Sequence, residues 1–565
     1  MLNQLIKFLI IILFITLALI NSHLLDFFGL KNFWKYFYVN WNYEFSKITY
    51  FNIFSSIILF LFLIKIFLEK KVIKIPYIIF YIFISFLIST FYSISPYISF
   101  FWNNIKSHWF IIFNNLIGLF IIFLNIENKN KEKILKYSLI GLLLSIIFAI
   151  WQLYFPTFNY WNLKNRAFWF FGHPNYLALY ILIYIPILIN NKLKINKQIN
   201  FTLTILSIAT LLLTKSLTAI FLAFSYLIYY YYNKNKKLFF IISFIFFFSI
   251  FYIFYTFWFS KFHSFISRFF IWKWSFLASI ENLKTILIWN WFETLDLIFN
   301  KYKSPFLYIF ENIWFTADRA HNIFLYFFYS TWILWLIWLI YIFYFTIKNK
   351  NKIYKTSIIL AFLFLLFNFS SITIYLLLIL LISLLNYKFI YFVKNKVINY
   401  IFIILISIIS FYWSYNSILF YKAETKIYKN SFFKANKIYK FFPNYFYKNN
   451  NFKEWLKLEK IKTEYYFKSK IIYDPSIKNC KLLIKNYKTI ENYFFCWDIF
   501  KDIWKNNISI FFYKEGLKLI PDLWNKNSKF HKYKIVKYTI NWKRFFSQKY
   551  SNIKKILKIT WNIKN

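Results

Sequence analysis

The sequence predicts an all-α protein: a polytopic membrane helix bundle of about 12–13 spans over residues 1–416, then a helical extracytoplasmic tail over 417–565. Three observations carry that reading. Hydrophobic residues make up 60% of the 565-residue chain and charged residues only 16%, well below the roughly 25% of an ordinary soluble domain. Apolar runs close to the ~20 residues that a membrane-crossing helix needs recur from residue 5 to about residue 416. Past that point the chain turns polar and strongly basic, with helical periodicity punctuated by Pro443, Pro475 and Pro521.

The elements follow in order. The first span, 5–22, carries Lys7 near its start; Asn21, Ser22 and His23 offer no small-residue cleavage site, so it reads as a signal anchor. Further apolar runs place spans at 49–68, 75–94, 108–126, 134–154, 174–190, 198–213, 217–232 and 238–258. A long loop, 259–322, separates these from a last group at 323–347, 355–369, 371–387 and 397–415. The loop keeps apolar periodicity around Phe269–Ile280 and Ile286–Phe299, which suggests short helices lying on or against the bundle.

Lysines set the orientation. The connections 69–74, 127–136, 191–197, 233–237, 348–355 and 388–396 are short and lysine-rich, and each is even-numbered if the N-terminus is cytoplasmic. The odd-numbered connections carry few charges or are long. The positive-inside rule then puts 95–107, 155–173, 259–322 and the tail outside the cytoplasm, in a multi-pass protein of the cytoplasmic (inner) membrane.

Composition also excludes. A net charge of +49 suggests nucleic acid, but the basic residues punctuate apolar runs and form no continuous face, so no nucleic-acid partner is expected. Cys480 and Cys496 are too few for a disulfide scaffold or a cysteine-based zinc site, and the six histidines have no paired spacing for a metal. No glycine-rich phosphate loop appears, which argues against ATP hydrolysis.

Polar groups at the outer ends of the spans are the candidates for chemistry. The chain has only four arginines, and Arg166, Arg268 and Arg319 fall on this face while Arg544 lies in the tail. A guanidinium fork suits phosphate, so a diphosphate ligand fits them; the competing reading is snorkelling to lipid headgroups. Lys215 and Ser216 sit in a tight turn between two spans, and Asn175 follows His173 and Pro174 at the mouth of another. His321 is the best general-base candidate, because histidine titrates near working pH. A histidine at a helix start is otherwise a cap or an interface residue, and His173, before Pro174, reads as such a cap. Glu293, Asp296 and Asp318 are alternative bases on the long loop.

At these residues the chain resembles the O-antigen ligase / O-antigen polymerase family of membrane glycosyltransferases. Four stretches carry the resemblance: Ser89 to Tyr97 (STFYSISPY), Arg166 to Ala178 (RAFWFFGHPNYLA), Arg268 to Trp291 (RFFIWKWSFLASIENLKTILIWNW) and Asp318 to Trp338 (DRAHNIFLYFFYSTWILWLIW). It covers roughly residues 75–390. In the tail, residues near 490–522 resemble a tetratricopeptide repeat, with Phe500, Tyr513, Gly516 and Pro521 at characteristic places.

The resemblance implies a reaction. Such enzymes take a glycan from an undecaprenyl-diphosphate carrier at the outer leaflet and transfer it to a hydroxyl of an acceptor glycan, lipid or protein. The carrier is the leaving group, so no nucleotide, metal or other cofactor is needed. His321 and Arg268 become the catalytic pair. Arg166, Lys215, Asn175 and Asn322 become substrate-binding, and Arg319 either contacts the diphosphate or pairs with Asp318. Lys215-Ser216 departs from the Ser-Arg that family members often carry. The alternative is a multi-pass transporter or flippase of lipid-linked glycans, which would place ionisable groups at mid-membrane. The spans here are almost free of acidic residues.

The family pattern also has glycine where this chain has Trp169, Trp289, Trp291, Trp332, Trp335 and Trp338, and the tail repeat has glycine at Trp497 and Trp504. With 5 glycines and 23 tryptophans in all, many of these tryptophans are expected to be UGA codons whose native residue is glycine. The competing reading is aromatic anchoring at the membrane interfaces.

Overall fold

A computed structural model describes residues 2–19, 43–70, 73–92, 110–154, 166–168, 171–232, 234–280, 320–330, 333–385 and 392–428. Among them the structure is helical, with a single isolated β-bridge between Pro76 and Phe392. The helices are α1 (Leu2–Leu19), α2 (Tyr43–Glu69), α3 (Tyr77–Phe91), α4 (Phe110–Asn125), α5 (Asn128–Tyr154), α6 (Pro174–Ile189) and α7 (Lys197–Leu213). They continue with α8 (Leu217–Tyr232), α9 (Lys236–Ser279), α10 (Ile323–Ser330), α11 (Ile333–Lys348), α12 (Lys352–Leu365), α13 (Ile372–Ser383) and α14 (Lys396–Tyr428). Each expected span coincides with a helix or, at 323–347, with the pair α10 and α11. Leu2–Leu19, Tyr50–Glu69 and Asn128–Leu153 are long and apolar enough to cross a membrane, and several apolar helices are shorter.

Asparagine opens many of these helices. The side chains of Asn196, Asn235 and Asn351 accept backbone N–H groups at the starts of α7, α9 and α12, and Asn395 accepts from Val397 and Ile398 at the start of α14. A lysine follows each of the four. The asparagine satisfies donors that a helix start leaves open.

Two boundaries differ from expectation. α9 does not stop at residue 258 but runs unbroken to Ser279, about 66 Å at 1.5 Å per residue. Ser260, Lys261 and His263 interrupt its apolar run, yet no glycine or proline stands between Lys236 and Ser279, so nothing ends the helix. The short helix expected at 269–280 is the end of α9. Likewise α14 passes the expected boundary at 416 and reaches Tyr428.

The chain divides into two compact units. One comprises Met1–Thr256, Ser275–Leu295 and Asp318–Leu456; the other comprises Phe257–Trp274, Asp296–Ala317 and Lys457–Asn565. The expected boundary between bundle and tail at 416 falls within α14, and the tail beyond Tyr428 lies outside the described residues. The tail repeat near 490–522 and loop residues 281–319, with the helix expected at Ile286–Phe299, lie outside the described residues.

In the first unit α6 is the innermost helix. Every residue from Tyr176 to Leu188 is buried, against α7, α8, α12 and α13. A helix apolar all round belongs inside a bundle. α1 packs on α2 and α5, and α14 packs on α2 and α4. A buried polar seam joins α2, α4 and α14. Ser56 donates to the Ser410 carbonyl at 2.9 Å, Ser414 donates to the Asn52 carbonyl at 2.8 Å, and Asn115 donates to the Asn52 side chain at 2.8 Å.

One end of this unit gathers lysine-rich connections. Asn125 and Lys74 exchange hydrogen bonds of 2.9 and 3.1 Å, and Val393 donates to the Ile75 carbonyl at 2.9 Å. Lys131 donates to the Ser383 carbonyl at 2.6 Å. Glu132 accepts from the Tyr354 hydroxyl at 2.9 Å and pairs with Lys192 at 3.4 Å. The sequence-predicted site lies elsewhere.

Candidate functional site

Four separate chain segments meet where α6 begins. Gly172 has φ 66°, a left-handed conformation that favours glycine, and it turns the chain into His173 and Pro174. His173 is the N-cap of α6: its Nδ1 accepts the Asn175 backbone N–H at 3.1 Å, so the ring is neutral at that nitrogen. Pro174 takes the first helical position, where a missing N–H costs nothing.

The turn between α12 and α13 closes over this helix start. Asn175 donates its amide to the Asn368 side-chain oxygen at 2.8 Å, and Asn368 donates in turn to the Phe364 carbonyl at 3.2 Å. The Phe369 ring lies 5.5 Å from the His173 ring and 5.2 Å from the Tyr176 ring, centre to centre. On its other contact it meets His321 at 4.8 Å, edge to face at 68°.

His321 stands just before α10 with φ 52°, a conformation uncommon for a residue with a Cβ. Ala320 beside it is fully buried. Asn322 caps α10 by accepting the Leu325 N–H at 3.1 Å, which leaves its amide hydrogens for another partner. Local backbone strain of this kind persists where the surroundings over-determine it.

Arg166 ties in the fourth segment. Its Nε donates to the Thr214 carbonyl at 2.8 Å and its Nη2 approaches the Lys215 carbonyl at 3.5 Å. Alongside, Ala167 donates to the Leu213 carbonyl at 3.0 Å and Phe168 donates to the Gln152 side chain at 3.1 Å. The arginine therefore caps the C-terminus of α7, where a cation is favoured. Part of its fork is engaged in this way, and the remaining N–H groups stay available. Burial pushes its pKa down to about 10, which still leaves it charged at neutral pH. Lys215 occupies the α7–α8 turn, half-buried, with φ 51°.

Sequence reasoning missed Lys47, Asn368 and Phe369. Lys47 is fully buried on α2, its ammonium 4.7 Å from the centre of the Phe171 ring, a cation–π distance. A lone lysine opening an apolar run reads as a snorkelling residue. Asn368 and Phe369 lie in what reads as almost continuous apolar sequence. The polar run Asn368, Ser370, Ser371 is the only signal that the chain turns there.

Arg166, Lys215, Asn175, His321 and Asn322 thus share one end of the first unit. Arg268 belongs to the second unit; it is half-buried on α9, and burial lowers its pKa. Arg319 and Asp318 lie outside the described residues, as do Glu293 and Asp296. Electrostatically the shared end suits an anion: α6 and α10 both begin there, and helix starts carry partial positive charge.

Comparison with protein-family models finds no match. Comparison with curated proteins and with solved structures finds none either.

Proposed function

We propose that the chain is a multi-pass membrane glycosyltransferase. It moves a glycan from a polyprenyl-diphosphate carrier to an acceptor hydroxyl at the outer face of the cytoplasmic membrane, as the resemblance to O-antigen ligases and polymerases implies. One observation carries the reading. Segments around residues 166–176, 213–216, 320–322 and 366–371, scattered over some 200 positions of sequence, converge at one end of the first unit. They bring a histidine with strained backbone, a charged arginine and two helix starts together.

The chemistry follows from the groups. His321 accepts the proton of the acceptor hydroxyl as its oxygen attacks the anomeric carbon. The new C–O bond forms as the bond to the diphosphate breaks, from opposite faces, so the anomeric configuration inverts. Negative charge collects on the departing diphosphate, where Arg166, Lys215 and the starts of α6 and α10 stabilise it. The resemblance assigns Arg268 to the same charge and leaves Arg319 between the diphosphate and Asp318. The tail, with its repeat-like segment, suits a protein acceptor or partner, because helical repeats present concave binding surfaces.

The test is transfer by purified protein in membranes supplied with lipid-linked glycan, beside an analysis of lipid-linked glycan in cells lacking the gene. Such cells accumulate undecaprenyl-linked glycan at the outer leaflet. His321→Ala and Arg268→Ala lower transfer about 10²–10³-fold, the usual cost of removing a transition-state partner. Arg268→Lys is also poor, since a point charge replaces a fork. Wild-type product from His321→Ala, or a block confined to the inner leaflet, sinks the proposal; the second outcome indicates flipping.

A further inference from the structure

A donor carried on a lipid needs a place for its hydrocarbon chain beside the reacting groups. Between α3, α4, α10, α11, α12 and α13 lies a cleft of about 790 Å³, counted together with the open space it communicates with, and its surface is wholly apolar. Its position is specific. Ile323, the residue directly after Asn322, lines it, and so does Leu365, the last residue of α12 before the Asn368–Phe369 turn. From Tyr375, near the start of α13, the lining continues to Ile382, about 10 Å along the helix.

Its lining is as informative as its place. Phe113 bridges the walls, 6.1 Å from Phe327 and 6.3 Å from Tyr375 between ring centres. An apolar cavity of this kind is a poor host for water and a good one for hydrocarbon. Ile323 opens α10 directly after His321 and Asn322, so a helix start, where an anion is favoured, adjoins the lining of the cleft. An apolar slot beside an anion-favouring helix start is complementary to an amphiphile with an anionic head and a long hydrocarbon tail.

We propose that this cleft holds the diphosphate-proximal part of the donor's polyprenyl chain and so sets the scissile bond against His321. The proposal rests on the transferase reading for its choice of donor, but its test does not need transfer. The probe is farnesyl diphosphate carrying a benzophenone at the tail, photolysed with the full-length protein in nanodiscs, the adducts mapped by peptide mass spectrometry. Adducts are expected on α4 and α13, and added undecaprenyl diphosphate suppresses them. Leu378→Trp and Leu116→Trp each fill the cleft from a different helix and lower labelling at least tenfold. Ile140→Trp, on an exposed position of α5, leaves it unchanged and reports that a new indole alone does no harm.

Adducts confined to helices that do not line the cleft overturn the assignment, as does full labelling in both filled variants. Suppression by phosphatidylglycerol as strong as that by undecaprenyl diphosphate also overturns it, because the cleft is then a bilayer-lipid slot. Competed labelling on α4 and α13 without any transfer activity supports the cleft and counts against glycosyl transfer alone.

Discussion

At Phe369 two histidines with different duties meet one ring. His173 is committed to capping α6, whereas His321 precedes α10 with a left-handed backbone. The sequence sets them apart as expectations: a histidine before proline reads as a cap, and His321 reads as the best general-base candidate, with a cap or interface residue as the competing reading. What it did not disclose was their common support. Asn368 and Phe369 are residue types found in any apolar loop, and only folding brings them against Asn175 and the two imidazoles. Arg166 shows the opposite gap, because its position was legible while its capping of α7 depends on a carbonyl almost 50 residues away. A buried amide pair is worth about 0.5–1.5 kcal/mol, and removing one partner strands the other. Asn175→Ala and Asn368→Ala are each expected to lower thermal stability in detergent, with the double variant losing less than the two added together. A coupling energy of ~1 kcal/mol is the expected result, and strict additivity would remove this hydrogen bond from the account.

Helix positions were legible to within a few residues because most apolar runs are bounded by lysines or asparagines, and asparagine caps. Ends were less so. Polar residues mark where an apolar surface stops, but only glycine, proline or lost packing stops a helix, and α9 meets neither glycine nor proline before Ser279. Glycine matters differently within the bundle. A Cβ at Gly141 would stand 3.1 Å from the Ala18 Cβ and 3.4 Å from the Ile15 backbone, so α1 and α5 touch there almost backbone to backbone. A Cβ at Gly118 would meet the Leu59 side-chain tips at 2.7 and 2.9 Å, which can rotate away. Gly141→Leu is therefore expected to destabilise by overpacking, typically about 1–3 kcal/mol or more, and Gly118→Ala by less. Thermal unfolding of the two variants in one detergent checks the order; equal loss from both contradicts the argument from backbone contact.

Across the whole molecule, the alternation of lysine-rich and lysine-poor connections anticipated the two ends of the first unit. Connections near 74, 125, 131, 192, 354 and 393 join at one end, and the site segments join at another place. Charge pattern is legible because it is a property of the chain; the cleft between six helices is not, because it belongs to their packing. Composition raises one further point. Two of only 5 glycines, Gly118 and Gly141, mediate close helix contacts, and a chain with this many packed helices is expected to use more such contacts than that. The 23 tryptophans stand where the family and repeat patterns put glycine at several positions, among them Trp332, Trp335, Trp338, Trp497 and Trp504. Trp332, Trp497 and Trp504 lie outside the described residues, while Trp335 and Trp338 fall on α11. An indole at the crossing of a tetratricopeptide hairpin overpacks it by about 1–3 kcal/mol, whereas glycine lets the helices meet. The coding DNA is accordingly expected to read TGA at these five positions and TGG at true tryptophans. Peptide mass spectrometry of the protein from its native source then finds glycine at 497 and 504. Tryptophan in those peptides would end the recoding argument and leave Arg166, His321 and Asn322 untouched, since none of them depends on it.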